Sequence, residues 1–462
     1  PPFCMSRPSA PPSTTAEWSP ASWRMRPARQ QPSYPDDAAL DTVLHDLATL
    51  PPLVTSWEAN KLRDQLAKAA NGERFLLQGG DCAERFDECR ADILSNRFKV
   101  LLKMSLVLVY GLNQPVVRVG RLAGQYAKPR SSDTETRAGQ TLPSYRGDII
   151  NDIAFTPAAR TPDPTRLRTA YNHSATTLNF VRALSEGGFA DLNHPEHWQL
   201  GFLHHSPLAS EYQSIVRSIR EALNFTQTVA EGPIPGLRSV TFYTSHEALH
   251  LPYEEAMTRF VAHQDGYYNL GTHLPWIGKR TAHPDEAHVE YMRGLENPVA
   301  LKVGPHLPAS TLTTLIRHLN PDNAWGKLTL ITRMGAEQVS DRLPPLLRAV
   351  EAQGAHVLWV CDPMHGNTEK TRNGYKTRRF RTILHELEQT FSIHRAEGTH
   401  LGGVHFEMTG ENVTECVGGA RGLTEHDLEE AYTSHVDPRL NVEQALEMAL
   451  SIVRMYRNGT DG

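Results

Sequence analysis

Eight short apolar runs punctuate the chain after residue 73, each closing on glycine or polar residues. They are RFLLQGG (74–80), PVVRVGR (115–121), SVTFYTS (239–245), YYNLGTH (267–273), PVALKVGP (298–305), KLTLITRMG (327–335), HVLWVCDP (356–363) and GGVHFEMTG (402–410). Runs of this length, rich in Val, Ile and Leu and apolar on both faces, read as buried parallel strands. Between most of them lie stretches with helical spacing: EEAMTRFVAH, DEAHVEYMRGLE, ASTLTTLIRHL and DRLPPLLRAVEAQ. A strand-then-helix alternation repeated eight times predicts a (β/α)8 TIM barrel of the α/β class, with an open doubly wound sheet as the alternative.

Two departures from the repeat predict additions to the barrel. Ahead of the first strand, DDAALDTVLHDLATLPP and SWEANKLRDQLAKAANGE read as helices, the second with Ser56 as N-cap. Between Arg121 and Ser239 the chain is too long for one crossover. It holds the turn-rich AKPRSSDTETRAGQTLPSYRGD and then the helical PTRLRTAYNHSATTLNFVRALSEGG and SEYQSIVRSIREALNF, read as an extended loop followed by extra helices. The predicted organisation is a proline-rich segment 1–35, an N-terminal helical extension 36–73 and a catalytic barrel 74–462, with a loop and helical insertion at about 129–236. The basic residues Arg7, Arg24, Arg26 and Arg29 bring a plastid-type transit peptide into consideration, but the prolines oppose its amphipathic helix.

Composition narrows the function. Lys plus Arg number 47 against 52 for Asp plus Glu, a net charge of −5, so no nucleic-acid or membrane surface is expected. Mean hydropathy is −0.44 and no run approaches the ~18 apolar residues of a membrane span. The five cysteines are sparse and odd in number, which predicts free thiols in a reducing compartment, the cytoplasm.

A TIM barrel works at the C-terminal ends of its strands. The residues there are unusually polar: Asp81 and Cys82, Arg121 and Lys128, His246 and Glu247, Lys279 and Arg280, Lys302, Arg333, Asp362 and His365, and Glu407. Lys302 and Arg333 stand inside apolar strands, where a charge needs a partner. A structural ion pair would serve for either alone; with Arg121, Lys128 and Arg280 at equivalent places, a pocket for phosphate and carboxylate groups explains more. Cys82, His365, Glu407 and a further acid are a donor set suited to a first-row dication, although a buried thiol and a loop histidine are the plain alternatives.

These residues lie in blocks that resemble the type II, plant-like 3-deoxy-D-arabino-heptulosonate 7-phosphate (DAHP) synthases, over about Trp23 to Arg457. The blocks are LLQGGDCAE, RLAGQYAKPRSS, LPSYRGDIIN, SHEALHLPYE, LGTHLPWIG, ENPVALKVGP, LTLITRMGA, CDPMHGNT, GGVHFEMTGENVTECVGG and DPRLNVEQALE, in family order. The resemblance implies a barrel that condenses phosphoenolpyruvate with erythrose 4-phosphate, the first step of the shikimate pathway, as a homodimer or homotetramer. It implies metal ligands Cys82, His365, Glu407 and Asp437, holding Mn2+ by preference and otherwise Co2+, Fe2+ or Zn2+. It implies a phosphoenolpyruvate site of Arg121, Lys128, Lys302 and Arg333 with the backbone around Lys279 and Arg280. The sugar phosphate would meet Arg130, Ser131 and Arg280, with Glu247 and Trp276 lining the pocket.

The chain also departs from the pattern. Lys279 stands where an acid is usual, Ala282 and His283 where Arg-Gln is common, and Val436 where many members have cysteine. The lysine is expected to face solvent, leaving the contact to backbone N–H groups. It keeps open service in a secondary pathway, or an amino-DAHP synthase acting on an imine analogue of the sugar. A non-catalytic relative is the reading from another class, opposed by retention of all four ligand types.

Overall fold

The computed structural model describes residues 18–190, 208–229 and 239–457. Residues 1–17 of the proline-rich segment, 191–207 and 230–238 in and just after the insertion, and 458–462 therefore lie outside the described residues. Eight parallel strands close into a barrel in sequential order. They are β1 (Phe75–Gly80), β2 (Val116–Arg121), β3 (Tyr243–Glu247), β4 (Leu274–Ile277), β5 (Val299–Val303), β6 (Leu328–Thr332), β7 (Leu358–Cys361) and β8 (Leu401–Glu407). The register places Gly80 opposite both Arg121 and Glu407, so the side chains ending β2 and β8 flank the end of β1 at one level.

The predicted fourth strand is displaced. Within YYNLGTH, Gly266–Asn269 pairs antiparallel with Thr258–Val261 as an outlying hairpin, and the barrel strand is the next run, LPWI. The same hairpin ends the helix expected over EEAMTRFVAH, which covers only Leu251–Ala256. Pro275 lacks an N–H and disguises LPWI as a loop, whereas the tyrosines of the hairpin give it the stronger strand propensity.

Helix α1 (Asp37–Thr49) is capped by Asp36, whose carboxylate accepts from the Ala39 N–H. Helix α2 (Ser56–Ala70) is capped one residue earlier than expected: Thr55 and Glu58 form a reciprocal capping box, leaving Ser56 as the first helical residue. The extension is integral to the barrel. Leu62, Leu66 and Ala69, on one face of α2, share a core with the inward-facing Leu76, Val119, Leu274, Ala300 and Val360, closing the end of the barrel opposite the strand C-termini.

Helix α3 (Ala91–Leu112) follows β1. The insertion between β2 and β3 contains the hairpin Thr134–Arg137 with Gln140–Pro143, then α4 (Thr165–Glu186) and α5 (Ala209–Val229). Leu167, Ala170, Leu178 and Val181 of α4 pack with Leu47 of α1 and Phe98 and Leu102 of α3 in a second core outside the barrel wall. This core backs the loop carrying Lys128 and Arg130. Helices α6 (Ala287–Arg293), α7 (Ala309–Leu319), α8 (Val339–Ala352), α9 (Phe380–Ala396) and α10 (Val442–Arg457) complete the outer layer.

Candidate active site at the strand C-termini

A cavity of about 590 Å³ opens at the C-terminal end of the barrel. Of the expected site residues, Arg121, Lys128, Arg130, Ser131, Glu247, Trp276, Lys279, Arg280, Lys302, Arg333, Cys82, His365 and Asp437 line it. Glu407 is fully buried behind the wall, joined to it through His365 and Arg121. The cavity also takes in Gln125, Thr368 and Lys376, which pattern reading missed. Lys376 belongs to a polar hairpin between β7 and β8 with no apolar periodicity to place it.

The floor gathers three of the four predicted donors, with His365 beside Glu407 but outside the group. One donor atom each from Cys82, Glu407 and Asp437 lie within 4.8 Å of one another. His365 Nε2 lies 2.8 Å from Glu407 Oε1, while its Nδ1 pairs with Asp362 at 2.7 Å. An acid behind the imidazole is the arrangement that orients a ligating histidine. Glu407 Oε2 is buried and ion-paired with the equally buried Arg378 Nη1 at 2.7 Å, without an aligned hydrogen bond. A thiol, an imidazole and two carboxylates are a donor set that fits a divalent metal and does not distinguish among first-row ions.

Electrostatics bind this floor together. Burial, with Glu407 and Asp437 beside it, pushes the Cys82 thiol up, so metal would have to displace a proton there. Burial works against the Asp437 carboxylate, but the Lys128 ammonium at 2.6 Å holds it well below the usual range. Lys128 Nζ also donates to Cys82 Sγ at 2.7 Å, and Lys376 to the second Asp437 oxygen at 2.9 Å. The Lys128 loop is fixed by its N–H donating to Arg146 O at 2.8 Å, next to Gly147 at φ +104°. A Cβ on Gly147 would stand 1.9 Å from the Tyr126 carbonyl, so no other residue fits.

Above the floor stand eight cations: Arg121, Lys128, Arg130, Lys279, Arg280, Lys302, Arg333 and Lys376. Arg121 is buried under the Trp276 ring, its Nε donating to Asp81 O at 2.9 Å and one Nη to Glu407 at 3.0 Å. Lys302 pairs with Asp362, so the structural ion pair foreseen for it is present. Even so, burial, with Arg121 and Arg333 adding to it, pushes its ammonium down to about 8. Arg333 donates to the His365 carbonyl and has no carboxylate within ion-pair distance among the described residues. A half-buried cation at a cavity wall without an acid is open to an anionic ligand.

Lys279 meets its expectation in part. The residue is exposed, but its side chain is part of the cavity wall at the mouth, its stem against Gly304. Partial burial and repulsion from Arg333 and Arg280 lower its affinity for the proton. Glu247 supplies the contrasting group: its carboxyl is pushed up by burial and its Oε1 has no hydrogen-bond partner. Val436 packs with Cys82, Ala83 and Tyr145 beside the floor.

A barrel whose strand ends hold a cationic cavity over a cluster of metal-ligating side chains defines an enzyme for small, multiply charged, phosphorylated substrates. Residues 18–453 match the class-II DAHP synthetase family, and the chain belongs to it. Two relatives named phospho-2-dehydro-3-deoxyheptonate aldolase are each 48% identical to it. The one from Neurospora crassa aligns over 95% of this chain and 94% of its own length, the one from Streptomyces coelicolor over 95% and 97%. The solved structure of phospho-2-dehydro-3-deoxyheptonate aldolase from Francisella tularensis SCHU S4 aligns at a TM-score of 0.47 and 14% identity, covering 90% of this chain and 96% of that one, too distant a likeness to add to the assignment. The condensing step of the shikimate pathway is the family's chemistry.

Proposed function

We propose that this cavity joins phosphoenolpyruvate to erythrose 4-phosphate and water, releasing DAHP and inorganic phosphate. The observation that carries the reading is the convergence of eight cations on one cavity above the Cys82, Glu407 and Asp437 cluster. The two substrates bring two phosphates and a carboxylate, and neutralising them takes such a set.

In this reading Arg121, Lys128, Lys302 and Arg333 hold phosphoenolpyruvate, with the N–H groups around Lys279 and Arg280. Arg130, Ser131 and Arg280 hold the sugar phosphate, fixing the aldehyde carbon against C3 of the enol. Cys82, His365, Glu407 and Asp437 would hold a divalent metal, Mn2+ first and Co2+, Fe2+ or Zn2+ next, which when bound supplies Lewis-acid polarisation of the aldehyde oxygen. C3 attacks C1, water adds at C2, and phosphate departs with cleavage of its C–O bond. The arginine and lysine side chains stabilise the charge that gathers on the departing phosphate. In the same reading Glu247 takes the proton of the attacking water, supported by its buried oxygen having no hydrogen-bond partner.

Incubation with phosphoenolpyruvate, erythrose 4-phosphate and Mn2+, followed by product analysis, tests the proposal: DAHP and phosphate in equal amounts are expected, and their absence in metal-loaded protein overturns it. One observation favours a second reading. Lys279 adds a cation at the mouth, and an amino-DAHP synthase would prefer the imine analogue in the same assay, consistent with a secondary pathway. A cytoplasmic setting agrees with Cys82, Cys89, Cys361 and Cys416 all being free. No helix among the described residues is long and apolar enough to cross a membrane. A homodimer or homotetramer is the assembly we propose, to be read by analytical ultracentrifugation.

A further inference from the structure

Glu386 lies on α9, outside the cavity, and is 1% exposed. Its Oε1 accepts from the N–H groups of Met334 at 2.8 Å and Gly335 at 2.9 Å, the two residues that follow Arg333. Its Oε2 accepts from Asn367 Nδ2 at 2.6 Å, two residues beyond His365. Asn367 in turn accepts from the Ala336 N–H at 3.0 Å and donates to Pro363 O at 2.8 Å. One buried carboxylate thus ties the loop after β6 to the loop after β7.

The two loops meet closely. A Cβ on Gly366 would fall 2.4 Å from the Gly335 nitrogen, and Arg333 donates across the seam to the His365 carbonyl. Since no described carboxylate pairs with the Arg333 guanidinium, its place is set by the backbone beneath it and by that carbonyl. The Arg333 N–H is itself held by Val303 O at 2.9 Å; from the next residue on, the backbone and the approach of the His365 loop depend on Glu386.

We propose that Glu386 is a positioning residue for phosphoenolpyruvate, holding the Arg333 loop against the His365 loop so that the guanidinium meets the substrate anion. The inference rests on the reading of the cavity given above. Its chemistry is specific to a carboxylate. An amide in place of Glu386 offers one acceptor, which two peptide N–H groups claim, and presents its NH2 to the NH2 of Asn367. Rotating Asn367 only moves the clash to the Ala336 N–H. Changing Asn367 to Asp as well restores an acceptor toward the new amide and toward the Ala336 N–H, at the loss of the donor to Pro363 O.

The test uses the full-length, metal-loaded protein and three variants: Glu386→Gln, Asn367→Ala and the pair Glu386→Gln with Asn367→Asp. Phosphoenolpyruvate KM and the calorimetric Kd for phosphoenolpyruvate are expected to rise about ten- to a hundred-fold in Glu386→Gln, the range for a lost hydrogen bond to a charged group. A smaller rise is expected in Asn367→Ala. The KM for erythrose 4-phosphate and kcat should move less than three-fold, and the pair should recover phosphoenolpyruvate affinity toward that of Asn367→Ala, which likewise lacks the donor to Pro363 O. A merely structural Glu386 would lower the melting temperature and leave KM unchanged, or defeat rescue by the pair; either outcome overturns the proposal. Should Glu386→Gln fail to fold, Asn367→Ala decides alone, because an unchanged phosphoenolpyruvate Kd there refutes the tie. Wild-type protein that makes no DAHP refutes the functional reading instead, while the Kd series still tests whether Glu386 governs the anion site.

Discussion

Replacing Lys302 by methionine should destroy catalysis without weakening the fold. The side chain ends β5 almost completely buried, paired with Asp362, yet burial and the nearby Arg121 and Arg333 bring its ammonium from an ordinary 10.5 down to about 8. That drop corresponds to about 3 kcal/mol held against the folded state whenever the lysine is charged. The folded chain releases the proton more readily than the unfolded one, so stability rises from pH 8 to 10.5, and the full cost is present below pH 8. Methionine keeps the stem and removes the charge. Asp362 retains His365 Nδ1 at 2.7 Å and the N–H groups of Met364 and His365 at 3.0 and 3.2 Å. The melting temperature of Lys302→Met at pH 7 should therefore equal or exceed that of wild type. Its kcat/KM for phosphoenolpyruvate should fall about 30- to 1,000-fold, the equivalent of roughly 2–4 kcal/mol for a desolvated contact to an anion. Wild-type kcat/KM should itself decline above about pH 8 as the free enzyme loses this proton. Thermal unfolding and steady-state kinetics at pH 7 and 9.5 measure both effects. A variant with near-normal kinetics, or one whose melting point falls in step with its activity, would show Lys302 to be a structural ion-pair member.

Three further outcomes are expected. Chelation should abolish turnover and Mn2+ restore it, and His365→Ala should lose bound metal while keeping the circular dichroism of the barrel; full activity in protein verified metal-free would remove the metal from the proposal. Lys279→Glu reverses a charge at the cavity mouth beside Arg280 and Arg333, so the phosphoenolpyruvate KM should rise by several-fold or more; an unchanged KM with both sugars would make the lysine a bystander. Gly147→Ala forces a Cβ onto the Tyr126 carbonyl in a left-handed backbone, and should cost about 2 kcal/mol or more and loosen Lys128, read as a lower melting point and a higher KM together.

The barrel was legible because its strands are buried on both faces, so that apolar runs of five or six residues stand out from amphipathic helices. That logic fails at LPWI, where four residues including a proline carry the strand, and at Thr258–Val261 and Gly266–Asn269, a real hairpin that belongs to no barrel. The site was legible to the extent that strand ends announce it: Arg121 and Glu407 close their strands, Lys302 lies within one, and Arg333, expected inside a strand, is the first residue after Thr332 ends it. Asp437 is 355 residues from Cys82 and follows no strand, so only the resemblance pointed to it. Lys376, Thr368 and Gln125 come from polar loops whose sequence carries no period. Glu386 looks like an ordinary charged residue of an amphipathic helix; only the backbone N–H groups beside it reveal what its carboxylate does.

A net charge of −5 and a cavity walled by eight cations are compatible because the acids stand behind the cations. Glu84 accepts from three consecutive N–H groups, those of Ala123, Gly124 and Gln125, at 2.9–3.0 Å under the Lys128 loop. Glu415 collects those of Thr433, Ser434 and Arg439 around the loop bearing Asp437. Glu386 and Asp362 do the same below Arg333 and His365. Each acid satisfies peptide donors that a loop turned toward substrate would otherwise leave unpaired in the interior. The front layer then divides in two. Arg121, Lys128, Arg130, Lys302 and Lys376 already hold carboxylates, so a substrate anion must share or displace them. Lys279, Arg280 and Arg333 hold none among the described residues, and the first two are exposed at the mouth. On the proposed function, an arriving phosphate would meet unpaired charge first and the compensated set only deeper in the cavity. That order lets long-range attraction govern capture, while the deeper pairs release their hold only for an anion that fits.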